Sequence, residues 1–113
     1  MSNTPEIKDD PMYQLLRADK IDEFNARRAK GESCDLRGVD LRNLDLRGMN
    51  AEGLDMRDCY FRQTDLRGVD LTSTQLAGSS LKGAKISGTF FPPELSAEEI
   101  NLSLQHGTRL RYR

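Results

Sequence analysis

The chain has 113 residues, 36% hydrophobic and 31% charged, with 17 Lys and Arg against 18 Asp and Glu. That length holds one domain, and the near-zero net charge excludes a field that would attract or repel nucleic acid at long range, leaving partner choice to local patches. No apolar run approaches the roughly eighteen residues of a membrane span, and the opening MSNTPEIKDDP has no signal-like apolar core. The expectation is therefore a cytoplasmic, soluble protein without membrane insertion. Cys34 and Cys59 fit a reducing compartment better as buried hydrophobes than as a disulfide.

Residues 1–33 read as an N-terminal helical cap. Asp10 and Pro11 have the types of an N-cap and a first helical residue. Tyr13, Leu16, Ile21 and Phe24 then supply an apolar stripe, predicted to span two short helices broken near Asp19 and ending at Gly31.

From Cys34 the chain divides into twelve unbroken pentads, CDLRG VDLRN LDLRG MNAEG LDMRD CYFRQ TDLRG VDLTS TQLAG SSLKG AKISG TFFPP, and all twelve central residues are apolar. On an α-helix a five-residue step advances about 500° and smears these residues over every face. On a flat strand it sends them alternately to opposite faces. A chain that bends once per pentad instead brings every central residue, from Leu36 to Phe91, to one axis. The residue two before each centre also points inward, because side chains alternate along an extended side. That second set runs Cys34, Val39, Leu44, Met49, Leu54, Cys59, Thr64, Val69, Thr74, Ser79, Ala84 and Thr89, and carries no charge. Seven of the nine glycines fall at the corners, with Asn43 and Asp58 as substitutes suited to a left-handed bend.

Over residues 34–93 this pattern resembles the pentapeptide-repeat family, whose motif is a small residue, Asp or Asn, Leu, then two variable positions. The resemblance implies an all-β solenoid, a right-handed quadrilateral β-helix of three coils with four pentads each, here with short α-helical caps at both ends. Leu44, Met49 and Leu54 are larger than the family's usual first inward residue and call for room from a cap or a widened first coil. The string LRNLDLRGMN at 41–50 also fits a leucine-rich repeat, but the pentads continue without the return segment that architecture needs.

Residues 94–113 read as a C-terminal helix and tail. Ser96 is placed as N-cap with Glu99 three later as a capping box, Leu95 and Ile100 as a staple, and Gly107 as the stop after His106. The final TRLRYR alternates Arg109, Arg111 and Arg113 with Thr108, Leu110 and Tyr112, an extended segment with one basic edge, packed on the body or docked on a second subunit. Phe90 should point outward beside the open end of a short stack, so Phe90, Leu110 and Tyr112 form a candidate end for a homodimer that would cover it.

Catalytic chemistry is not encoded in a recognisable form. The one histidine, His106, sits where a helix dipole favours a cation, and no phosphate loop, HExxH or CxxC occurs. Asp35 would stack over Asp55, but Arg37 and Arg57 compete for their oxygens, so no metal and no cofactor is expected. With residues twenty apart stacked in columns, each outward Arg has an Asp two residues earlier, except Arg62, which has Tyr60. The column Arg42, Arg62 and Lys82 beside Tyr60 therefore carries excess positive charge next to an aromatic ring, a composition favoured at interfaces.

These features predict a non-enzymatic protein-binding or scaffold module whose unidentified protein partner meets Arg42, Tyr60, Arg62 and Lys82. The family resemblance implies an alternative: some members imitate duplex DNA and bind DNA gyrase or a related topoisomerase. Those members commonly have acidic surfaces, whereas residues 34–93 here hold eight acids and eight bases. A third possibility is anionic nucleic acid or membrane surface bound through the arginine columns, against which the neutral overall charge argues.

Overall fold

Most pentads turn for the same local reason. The central carbonyl accepts a hydrogen bond from the amide three residues on, as in Leu44 to Leu41, Thr64 to Phe61 and Val69 to Leu66 at 3.0–3.3 Å, while the Cys59 amide donates to Ser79 Oγ instead. The residue before that donor takes positive φ in every described corner from Gly38 to Gly88 except Ser73, including the non-glycines Asn43, Asp58 and Gln63 at φ 60–64°. Gln63 is the corner whose left-handed conformation its residue type did not announce.

In the computed structural model, which describes residues 4–113, these turns return the chain to register every twenty residues. Parallel bridges join Asp40 to Tyr60, Tyr60 to Ser80, Asp45 to Asp65 and Asp65 to Lys85. The bridges are isolated and no continuous strand forms among the described residues, so the all-β expectation is met only in this reduced form. The physical reason is the side length: with a turn in every pentad, few consecutive residues remain extended.

Central residues Leu36 to Leu81 are all buried, together with Val39, Met49, Leu54, Cys59, Thr64, Val69, Thr74 and Ser79 from the other inward set. Ile86 and Phe91, in the last two sides, are only half-buried. The small inward residues do more than fit. Cys59, Thr64, Thr74, Ser79 and Thr89 each donate to the carbonyl twenty-three residues earlier, at 2.6–2.8 Å. The interior thus contains polar groups with partners, which is why it accepts them.

The regular elements are helices at the two ends: α1 Pro11–Arg17, α2 Ile21–Ala29 and α3 Ala97–His106. The Asp10 carboxylate accepts from Met12 N and Tyr13 N and, with its other oxygen, from Asp35 N, so one residue caps α1 and fastens it to the first coil. Asp19, at φ 61°, makes the break before α2. Met12, Tyr13, Leu16 and Phe24 are buried, and Ile21 packs with Leu44 against the same core, giving the large residues of the first coil their cover.

The first coil's free edge is closed by whatever the cap has to offer. Glu6 pairs with it through backbone, donating to Gly38 O and accepting from Asp40 N; Tyr13 Oη donates to Asp40 O; Asn25 bridges Gly48 O and Asn50 N; and Arg28 reaches Glu52 O. The strand-like role of Glu6 was not legible in the sequence. The first three residues of the 1–33 segment lie outside the described residues.

At the other end, Gly78 N donates to Leu110 O and Leu110 N to Ser79 O, while Gly83 N donates to Leu104 O. Tyr112 Oη accepts from Leu76 N at 3.0 Å, and Ser103 Oγ from Leu81 N at 2.8 Å. Among the described residues these cap contacts serve the first two sides of the third coil, and no backbone bond from the cap reaches 84–91. Ser96 caps α3 through Glu99 N, but the Glu99 carboxylate does not complete a capping box; Arg111 takes it, through N at 3.0 Å and the guanidinium at 3.3–3.4 Å. A full cation on the tail outcompetes a backbone amide for that carboxylate.

Candidate functional site

On the outer face, the second residue of a pentad and the fourth form a closed unit. Asp40, Asp45, Asp55 and Asp65 each accept from the backbone N–H two residues on, at 3.0–3.2 Å, which braces the corner as an Asx turn. The guanidinium of that same residue returns two bonds to the carboxylate, at 2.7–3.0 Å, in Arg42–Asp40, Arg47–Asp45, Arg57–Asp55 and Arg67–Asp65. The neighbouring arginine holds all four carboxyls below their ordinary range, and burial opposes this only in part. Asp65, to which Arg47 also comes within 3.4 Å, is held furthest down. Each unit is an internal salt, electrically near neutral to a partner.

Two arginines depart from the rule. Asp35 is taken by Lys8 at 3.0 Å, and Arg37 leans to Asp58 of the next coil at 3.8 Å. Arg62 has Tyr60 in place of an aspartate, and among the described residues its guanidinium has no hydrogen-bonded or ion-paired acceptor. Above it Arg42 is neutralised by Asp40; below it Lys82 donates Nζ to Gln105 O, a carbonyl in the last turn of α3 that eases the charge without cancelling it. Two cations thus remain in excess on this column.

The column lies in a groove of about 340 Å³. The column residues Arg42, Tyr60, Arg62, Ser80 and Lys82 line it together with Pro5 from the N-terminal segment and His106 and Gly107 from the end of α3. Ser80 Oγ donates to Gly107 O at 3.0 Å, fixing the end of α3 to the column. Arg109 flanks Tyr60, with its guanidinium 5.7 Å from the ring centroid and 3.0 Å from Oη, and Asp58 3.9 Å beyond. The structure therefore brings Arg42, Tyr60, Arg62 and Lys82 together. The flanking parts, Pro5 and His106, come from caps whose placement over this column no local pattern signals; Arg109 belongs to a visibly basic tail edge but its position over Tyr60 is a tertiary outcome.

Phe90, Leu110 and Tyr112 are not one patch of equal exposure. Leu110 is 2% exposed and Tyr112 half-buried, both engaged with the chain's own third coil, whereas Phe90 is 63% exposed. Leu102, 41% exposed, is another large apolar side chain facing solvent. Burial pushes the Cys59 thiol up to about 12, and Cys34, half-buried, is raised for the same reason, so neither is set up as a nucleophile. Among the described residues no group of His, Cys, Asp and Glu is placed to hold a metal, and no helix is long and apolar enough to cross a membrane.

Neither a curated protein nor a solved structure matches the chain. The family model for pentapeptide repeats does, with eight copies over residues 34–72 and 55–91, so that more than half of the sequence is covered. The repeating D-L-R unit, its glycine corners and its apolar centres are the features on which that match falls, and the chain belongs to the pentapeptide-repeat family.

Proposed function

We propose that this chain is a non-enzymatic protein-binding module, a right-handed quadrilateral β-helix of three coils whose partner seats on the column Arg42, Tyr60, Arg62 and Lys82. One observation carries the reading: where Arg42, Arg47, Arg57 and Arg67 are each locked to an aspartate two residues earlier, Arg62 stands beside a tyrosine in a groove, with no acceptor among the described residues. An unpaired arginine beside an aromatic ring is the composition of a binding hot spot. The same pairing weighs against the DNA-shaped alternative, because carboxylates already clasped by guanidiniums cannot present the dense charge of a phosphate backbone.

Quantitative affinity capture from lysate of the source cells tests it. The full chain should enrich a protein that the double charge reversal Arg42→Glu with Arg62→Glu loses, while Arg57→Glu on another column keeps it. Retention by the double variant would remove this face from the account.

A homodimer through the C-terminal end is a second reading, favoured by the exposed Phe90 and by the stretch 84–91, which among the described residues receives no backbone bond from the cap. Light scattering across concentrations, with Phe90→Asp alongside, should then show a dimer that the substitution dissociates. A monomer throughout leaves the side column as the working surface.

A further inference from the structure

Resting on that reading, we infer that the groove takes an acidic, extended segment of the partner protein, with carboxylates on Arg62 and Lys82 and its backbone crossing Tyr60. The charge sets the sign. Among the described residues Arg62 has no acceptor and Lys82 is bonded only to a neutral carbonyl, and both line the same groove. Arg42 is already saturated by Asp40 and adds shape without net charge.

Lining and spacing set the conformation. A helix docks in a groove by an apolar face, which a groove lined by Arg42, Arg62 and Lys82 does not match. An extended chain repeats its same-side residues every 6.6–6.8 Å or so. Successive coils lie about 4.8 Å apart, so Arg62 and Lys82, both long and flexible, reach two carboxylates at positions i and i+2.

Nucleic acid fits less well. Two excess cations neutralise few phosphates, and the net charge of −1 gives no help from a distance. The inference also explains Tyr60. Asp at this position, the residue found at 40, 55 and 65, would quench Arg62 and close the site.

The test is fluorescence anisotropy on the full chain at low and physiological salt. The probes are a fluorescein-labelled peptide with Glu and Ala alternating, its isomer with the Glu residues in one block, and an oligothymidylate of equal charge. The alternating peptide should bind best. Arg62→Gln and Lys82→Gln should each weaken it about tenfold, on the scale of a lost charged contact at an interface. Tyr60→Asp should weaken it as much while keeping Arg62 in place, and Arg57→Gln should leave it within about twofold. Circular dichroism melts establish that the variants are folded. No binding, equal binding by all variants, equal binding of the block isomer, or tighter binding of the oligothymidylate would each overturn the inference. If the peptide fails while lysate capture is still lost on charge reversal, the acidic segment is wrong and the module stands; if capture survives charge reversal, the module reading itself falls.

Discussion

A single pentad shows how little each residue can vary. In VDLRN, Val39 and Leu41 are buried, the Asp40 carboxylate braces the turn through Arg42 N and clasps its guanidinium, and Asn43 supplies the left-handed corner at φ 64°. The apolar centre should dominate stability. Leu66, 1% exposed in the middle coil, should cost about 2 to 5 kcal/mol when changed to Ala, measured by urea unfolding, and Ile86→Ala at the half-buried end should cost clearly less. Equal losses would mean the coils are not graded in burial.

The aspartates add a pH dependence whose sign follows from the direction of their shifts. Arg57 holds the Asp55 carboxyl below its ordinary value, so its stabilising effect is present above the unfolded pKa of about 3.9 and is lost as pH falls through the lower folded value. The same holds for Asp40 and Asp45. Tm should be nearly flat from pH 7 to about 5 and drop below about 4, with a shallower drop in Asp55→Asn. A Tm that rises on acidification would contradict the pairing. At this scale the sequence was highly legible, since Asp and Arg two apart on an extended side must face the same way. The Asx brace and the carbonyl-seeking hydroxyls of Thr64 and Thr74 were not, because both depend on a turn and a neighbouring coil that no single pentad displays.

Elements meet at the corners and caps. Gly78 has φ 80°, and a Cβ there would overlap the Asp58 carboxylate, which Arg37 and Arg109 approach from other sides. Gly53 has φ 69° and open space around it. Gly53→Ala should therefore cost about 1 to 2 kcal/mol from the backbone alone, and Gly78→Ala should cost more; the difference in unfolding midpoints checks the stacking of residue 78 under residue 58. At the tail, Tyr112→Phe removes the acceptor of Leu76 N, with an expected loss of about 1 kcal/mol. Hydrogen exchange should show the Leu76 amide exchanging faster in that variant, and unchanged exchange would mean the tail does not cap the coil.

The helix ends were readable from their caps: Asp10, Asp19, Ser96 and Gly107 all stand where their chemistry places them. What each cap does to the coil edge was not. Glu6, Asn25 and Tyr112 imitate missing strand partners with backbone, amide and phenol in turn, and that substitution is visible only once the edge they serve exists.

The whole molecule, 36 × 29 × 22 Å, is a short column with both ends occupied by its own chain to different extents. Its first coil is closed along much of its edge, and the third only along the sides beneath α3 and the tail. Most side columns are self-neutralised, so the groove at Arg62 is a break in an otherwise repetitive surface. Four residues of that groove were legible as an exception to the pentad rule; the rest of its lining was not, because Pro5, His106 and Gly107 are far from Tyr60 in sequence and reach it only through the caps.

The most direct test of the central claim is photo-crosslinking in living cells with benzoylphenylalanine in place of Tyr60, compared with the same group in place of Thr72 on the opposite side of the column. Adducts with a distinct protein from position 60, lost on adding Arg62→Glu and absent from position 72, are the result the account predicts. Adducts from position 72 alone, or equally from both, would contradict it.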